Sequence, residues 1–252
     1  MIALTRDISS GIVDCELTHL DRTPIDLARA HRQHQAYTNC LEALGCRIQR
    51  VPGDPELPDC VFIEDTAVVV PELAVMTRPG ALSRRGELPM VESALAEHRT
   101  IARIEAPGTL DGGDVLRIGR RIWVGAGPRS NAEGIRQLAR HLGPHGYEVV
   151  SADYRGCLHF KSACTLAGEG VVLLNPEWVS PELFPGLDVL TVAAEEPFAA
   201  NVLAVEGRVI VDLSFPRTIE RLLKHGLEIR TVDNSELARA EGGLTCGCIL
   251  LD

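Results

Sequence analysis

Short apolar runs that come in pairs dominate the chain. VFIEDTAVVV is followed by LAVMTRPG, GGDVLRIG by RRIWVGAG, HFKSACTLAG by EGVVLLNP, and AANVLAVEG by RVIVDLS. Each pair is divided by a tight turn, the pattern of a hairpin. The final run, LTCGCILLD, has no neighbour, and the opening run IALTR is its partner if the chain closes on itself.

Helical periodicity fills the intervals. Thr23 is read as the cap and Pro24 as the opening of PIDLARAHRQHQAYTNCLEALG, with Asp26 in its first turn, Gly45 at its stop and an apolar face through Leu27, Ala30, Tyr37, Leu41 and Leu44. A second helix is predicted over residues 87 to 98. A third begins at a capping box of Ser130 and Glu133, ahead of Ile135, Leu138 and Leu142. Another is predicted from Pro216 to His225, and SELARAE forms a short turn before the last run.

Asp65, Asp114, Ser162, Asn201 and Cys246 each stand at the head of one run, at spacings of 49, 48, 39 and 45 residues. A repeat of that length fits one strand-and-helix unit stacked on its neighbours. Five units in a ring would bring the polar heads to a common mouth. An ordinary mixed α/β sheet accounts for the same runs. No Pro/Ser-rich or charged linker divides the series, so a single domain over residues 1 to 252 is expected.

Composition narrows the classes. A formal charge of -10 argues against a nucleic-acid or anionic-membrane partner and permits a cationic ligand. No stretch reaches eighteen apolar residues and MIALTRDISSG has no basic-then-apolar leader pattern, so a cytoplasmic protein is expected. The eight cysteines form no CxxC pair and are expected as free thiols. Only Lys161 and Lys224 are lysines; every other basic residue is arginine.

Candidate chemistry gathers at the heads of the runs. PDCVFIED carries Asp59, Glu64 and Asp65; on a strand, Glu64 and Asp65 would face opposite ways and hold different jobs. In TLDGGDVL, Asp111 and Asp114 flank two glycines that allow close backbone approach or positive φ. Capping a turn is the ordinary use of such carboxylates. His159 heads a mostly apolar region, where a core or rim histidine is the ordinary reading, whereas the remaining histidines fall on helices, at helix ends or in a loop. Cys246 and Cys248, if on a strand, share a face. Gly242-Gly243 favours exposure of Cys246 as a nucleophile over a structural role, and CxC lacks the matching pair a zinc site would need. A thiolate, a histidine and carboxylates together suit attack on a cationic, poorly electrophilic carbon.

PDCVFIED, TRPGALSRRGE, TLDGGDVL, GAGPRSNAEG, LHFKS and GGLTCGC, in that order and over nearly the whole length, resemble the dimethylarginine dimethylaminohydrolases of the guanidine-modifying superfamily. The resemblance implies a fivefold pseudosymmetric α/β propeller of the pentein type, and hydrolysis of Nω,Nω-dimethylarginine or Nω-monomethylarginine to citrulline and the methylated amine. It implies Cys246 as nucleophile, His159 as general acid and base, and Asp111, filled by glutamate in some relatives, as its support. Glu64 is implied at the substrate guanidinium with Asp65 holding the site and Phe62 packing beside it. Asp59 and the Ala240 carbonyl are implied at the α-amino group, Arg84 and Arg129 at the α-carboxylate, and Leu17 in a lid. The small-molecule substrate is the implied partner of a monomer or homodimer; no cofactor or metal is required. Deimination of arginine or another guanidine, and guanidine binding without turnover, are the alternatives.

Overall fold

In the computed structural model, which describes residues 1–252, the four pairs of runs form antiparallel hairpins and each hairpin gains a third strand. Ala67–Val69 (β3), Leu73–Met76 (β4) and Thr100–Arg103 (β5) form one sheet; Val115–Ile118 (β6), Arg121–Gly125 (β7) and Glu148–Ala152 (β8) form the next. Cys164–Gly168 (β9), Val171–Leu174 (β10) and Asp188–Thr191 (β11) follow, then Leu203–Val205 (β12), Arg208–Asp212 (β13) and Ile229–Val232 (β14). The fifth sheet joins the ends of the chain. Cys248–Leu251 (β15) runs antiparallel to Ile2–Arg6 (β1), with Ile2 opposite Leu251 and Thr5 opposite Cys248, and Arg47–Val51 (β2) completes it.

Each third strand lies parallel to the middle one. Hairpin reading missed these strands because they are mixed in polarity, as in RIQRV and IRTV, and lie at the sheet edges, where charge discourages pairing with another chain. A parallel neighbour requires a crossover. Leu27–Ala43 (α1), Leu88–Ala96 (α2), Ala132–Leu142 (α3) and Pro216–Lys224 (a fourth long helix) supply four of them. The remaining crossover contains only the helical turn Pro181–Leu183, which accounts for the short 39-residue step from Ser162 to Asn201.

The helices bury their apolar faces on the sheets. Ile135, Leu138 and Leu142 of α3, for example, pack with Ile122 and Val124 of β7. Two expected caps move. Asp26, not Thr23, caps α1 by accepting the Arg29 N–H at 2.9 Å. Asn131, not Ser130, caps α3 through the Gly134 N–H at 2.8 Å. Ser130 is drawn away to the buried carboxylate of Asp114 and the backbone N–H of Asp111, described below.

The five repeat landmarks do not begin strands. Asp65, Asp114, Ser162 and Cys246 sit in helical turns, Ile63–Thr66, Gly112–Asp114, Phe160–Ala163 and Thr245–Gly247, and Asn201 lies in the loop before β12. Each is therefore delivered at the start of an inner strand, and the ring brings those starts together. This is a fivefold pseudosymmetric α/β propeller. The turn also separates the two terminal thiols: Cys248 packs beneath α1 with Tyr37 and Leu41, whereas Cys246 packs toward Phe62 and Ala240. They do not share a face. All eight thiols are unpaired, and no helix is long and apolar enough to cross a membrane.

Candidate active site

The turns converge on a recess lined by Asp59, Phe62, Asp65, Arg84, Arg129, His159, Ala240 and Cys246, together with Glu16, Leu158, Glu241 and Gly242. His159 is buried, with Nε2 3.0 Å from Asp111 Oδ2 and Nδ1 3.8 Å from Asp65 Oδ1. Both carboxylates are themselves held in place. Gly113 donates its N–H to Asp65 Oδ1 at 2.8 Å, and Gly80 donates to Asp111 Oδ1 at 2.9 Å. The DGGD motif works through close approach: a Cβ on Gly113 would stand 2.7 Å from both Asp65 Oδ1 and His159 Nδ1, and its φ is not positive.

Asp114 lies one shell farther out. It accepts from the Ser130 hydroxyl at 2.6 Å and the Phe160 N–H at 3.0 Å, while Ser130 Oγ accepts the Asp111 N–H at 3.1 Å. This chain of hydrogen bonds ties the backbone of Phe160, next to His159, to that of Asp111, whose carboxylate meets the imidazole. The serine's placement before a helix disguised that use as a cap.

Arg84 is enclosed. Its guanidinium binds Asp65, donates to Glu87 Oε2 at 2.8 Å and to the Phe62 carbonyl at 2.9 Å, so most of its donors are committed inside the protein. Arg129 has more freedom: it reaches the Thr18 hydroxyl at 3.2 Å and stands 3.9 Å from both Asp111 and Glu16. Asp59 is buried with no ion pair, and its oxygens share the single N–H of Glu16 at 3.2 and 3.3 Å.

Glu64 lines a different opening from the other expected site residues. Its carboxylate pairs with Lys161 Nζ and accepts from the Thr245 hydroxyl at 2.7 Å, and it lines a separate opening with Thr165, Leu203 and Ile249. Glu64 is thus committed to Lys161 and Thr245 and is absent from the lining of the recess, which Asp65 joins, yet it stays near enough to Cys246 to raise the pKa of that thiol. Leu17 is not in the lining either, and packs against the apolar cluster of Ile12, Phe62 and Ala240 beside it.

Electrostatics follow from this crowding. Burial lowers the His159 pKa, but Asp65, Asp111 and Asp114 outweigh it and bring the imidazole up to about 9. Burial raises the Asp65 pKa, but His159 and Arg84 hold the carboxyl below its usual range. Burial, then Glu64 and Asp65, push the Cys246 thiol up to about 12, with the Gly243 N–H, 3.4 Å from Sγ, opposing them. Asp65, Asp111 and His159 offer ligand atoms within 4.8 Å of one another. Two of those groups already face guanidinium cations, so the donor set suits proton handling better than a metal. Carboxylates nevertheless outnumber cations around the recess, which is complementary to a positively charged substrate.

No protein-family model matches the chain. The N(G),N(G)-dimethylarginine dimethylaminohydrolase of Streptomyces coelicolor is 39% identical over 246 residues, 97% of this chain and 94% of the relative. That of Pseudomonas aeruginosa is 35% identical over 223 residues, 88% of each chain. The chain belongs to the dimethylarginine dimethylaminohydrolase family. The fold agrees: a mutant of the Pseudomonas aeruginosa protein complexed with citrulline superposes with a TM-score of 0.94 at 33% identity, covering 98% of this chain and 97% of that one. A dimethylarginine dimethylaminohydrolase adduct with S-methyl-L-thiocitrulline gives 0.93 at 33% identity, covering 98% of each. As a member of the dimethylarginine dimethylaminohydrolase family, the protein is a hydrolase with guanidino-hydrolase activity.

Gly242, of the glycine pair read as exposing Cys246, joins the lining of this dimethylarginine dimethylaminohydrolase-family site, and Glu16, Leu158 and Glu241 complete it without having been foreseen. Leu158 opens the LHFKS motif, a signal that was available. Glu16 and Glu241 are brought in by long-range contacts with no local signature. Glu241 takes a positive φ of 60° and accepts the N–H groups of Thr18, His19 and Leu20 on one oxygen, at 3.0, 2.5 and 2.7 Å. It thereby straps the segment carrying Glu16 and Leu17 over the recess.

Proposed function

We propose that the chain hydrolyses Nω,Nω-dimethyl-L-arginine and Nω-monomethyl-L-arginine to L-citrulline and dimethylamine or methylamine through a thiouronium on Cys246. The placement of Cys246, His159, Asp65 and Arg129 around one recess carries this reading. The citrulline complex and S-methyl-L-thiocitrulline adduct of relatives superposing over 98% of the chain support it.

Asp65 faces the guanidinium, with Arg84 fixing the carboxylate rather than meeting substrate directly. Arg129 pairs with the α-carboxylate; Asp59 and the Ala240 carbonyl take the α-ammonium. The space left in this conformation is about 20 Å³, close to one water, so an amino acid is admitted by displacing the strap.

In the resting site the imidazole is protonated at neutral pH and Cys246 is a thiol. A guanidinium set beside the sulfur favours the thiolate electrostatically, so substrate binding itself activates the nucleophile, and the thiol proton is released to solvent. Sulfur attacks the central carbon, and imidazolium Asp111–His159 gives its proton to the methylated nitrogen as the C–N bond breaks and the amine leaves. Neutral His159 then accepts one proton from the water that attacks the thiouronium; collapse forms citrulline and expels the thiolate, and the second proton released restores the resting thiol.

Each methylarginine, and arginine itself, is incubated with folded protein while citrulline and released amine are measured separately. Acid-quenched protein is weighed intact for the covalent adduct. Failure to form citrulline or amine from any of them overturns the reading; ammonia from arginine alone moves it to deimination.

A further inference from the structure

A cavity of about 350 Å³ contains neither Cys246 nor His159 in its lining. It adjoins the recess through a common wall of Leu158, Glu241 and Gly242, and its volume is in the range of small-molecule sites. Two carboxylates, Asp212 and Glu241, line it beside Phe198 and Phe215; the single basic side chain in the lining is His19, and no lysine or arginine joins it.

Asp212, at the end of β13, is only 5% exposed. The Ser214 N–H reaches Oδ1 at 2.9 Å, and Oδ2 has no protein donor. The other buried carboxylates are better provided. Asp65 and Glu87 meet Arg84, Asp111 meets His159, and Glu236 meets Arg29 and Arg239. Asp114 and Glu196 each accept two hydrogen bonds. Asp59 alone resembles Asp212, in having one N–H and no ion pair, and it lines the catalytic recess. Glu241 adds a second deficit, since its Oε2 is buried without a partner.

A buried carboxylate without a countercharge is costly, and a cation beside aromatic rings supplies what is missing. We propose that this cavity is a second binding site, for an organic cation whose ammonium or guanidinium meets Asp212 while its apolar part lies against Phe198 and Phe215. Two sources share that chemistry: the alkylammonium released by the proposed reaction, and a second guanidine molecule. Only the identity of those sources rests on the proposed function.

The test uses full-length protein carrying Cys246→Ser, titrated calorimetrically at constant ionic strength with dimethylammonium chloride and with Nω,Nω-dimethyl-L-arginine, against sodium chloride as blank. Saturable binding of at least one cation that weakens about tenfold or more in Asp212→Asn, the loss expected for one charge-assisted contact, supports the site. Two methylarginine sites reduced to one by Asp212→Asn assign the cavity to guanidines; dimethylammonium binding sensitive to Asp212, with a single methylarginine site, assigns it to the amine. Phe198→Ala gives a second variant at an exposed ring, and should weaken the same event severalfold. Trp178, whose ring centroid is 5.0 Å from that of Phe198, reports occupancy by fluorescence. No saturable binding beyond a methylarginine site indifferent to Asp212, or affinity unchanged in both variants, overturns the proposal. Methylarginine failing to bind while dimethylammonium binds through Asp212 rejects the proposed function and keeps the cavity site.

Discussion

On one side of the centre of the ring, the Glu64 carboxylate is taken up by Lys161 and Thr245; on the other, one residue along, Asp65 stands among Arg84, Gly113 and His159. The first arrangement is closed: one anion, one cation and one hydroxyl satisfy one another. The second is open, because its carboxylates outnumber its cations and share a proton on an imidazole. A closed pair contributes structure and a fixed local field, whereas an open network changes state when a cation or a proton arrives. The short helical turn at Ile63–Thr66 sends consecutive side chains into these two environments.

Removing the proposed nucleophile is expected to cut deepest into the open side. Cys246→Ser is expected to lower saturated turnover by on the order of 10⁴-fold or more while methylarginine still binds. Turnover within tenfold of wild type would remove Cys246 from the chemistry.

The decisive pair is Asp65→Asn against Glu64→Gln. Asp65→Asn is expected to cost about 10²- to 10³-fold in kcat/KM, through loss of guanidinium orientation and of the charge that keeps His159 protonated. NMR titration should show the His159 pKa falling in this variant, because Asp65 is the foremost influence raising it. Glu64→Gln should leave saturated turnover within a few-fold but destabilise the fold by about 3 kcal/mol, since Lys161 is left nearly buried and unpaired. Combined Glu64→Gln and Lys161→Met should recover much of that loss in urea unfolding. Equal kinetic damage from both single variants would erase the distinction between the two sides.

Proton linkage gives a smaller effect. His159 has a folded pKa of about 9 against an ordinary 6.5, so its stabilisation is complete below pH 6.5 and is lost as the pH rises toward 9. His34 has the opposite sign: burial holds it at about 4, so its contribution is complete above 6.5 and is lost as the pH falls toward 4. Unfolding free energies across each window should change by about 1 to 3 kcal/mol. Each slope should vanish only in its own variant, His159→Gln or His34→Gln; a slope that survives its substitution contradicts the assignment.

The periodicity of apolar residues determined the hairpins, most of the helices, and the pairing of IALTR with the terminal run, because alternation and helical spacing are local properties of the chain. The spacing of polar landmarks marked out the five units, and a missing crossover helix explains the one short interval. Sequence motifs also placed Cys246, His159 and Asp111 among the candidates. Direction was beyond their reach. That Glu64 turns to Lys161 and Asp65 to Arg84, that Ser130 leaves its helix to hold Asp111 and Asp114, and that Glu241 reaches residues 18 to 20 across the chain were all decided by tertiary packing. Charges in water tolerate many partners, but once the ring buries them each must be matched by whichever donor or cation the other units bring within about 3 Å.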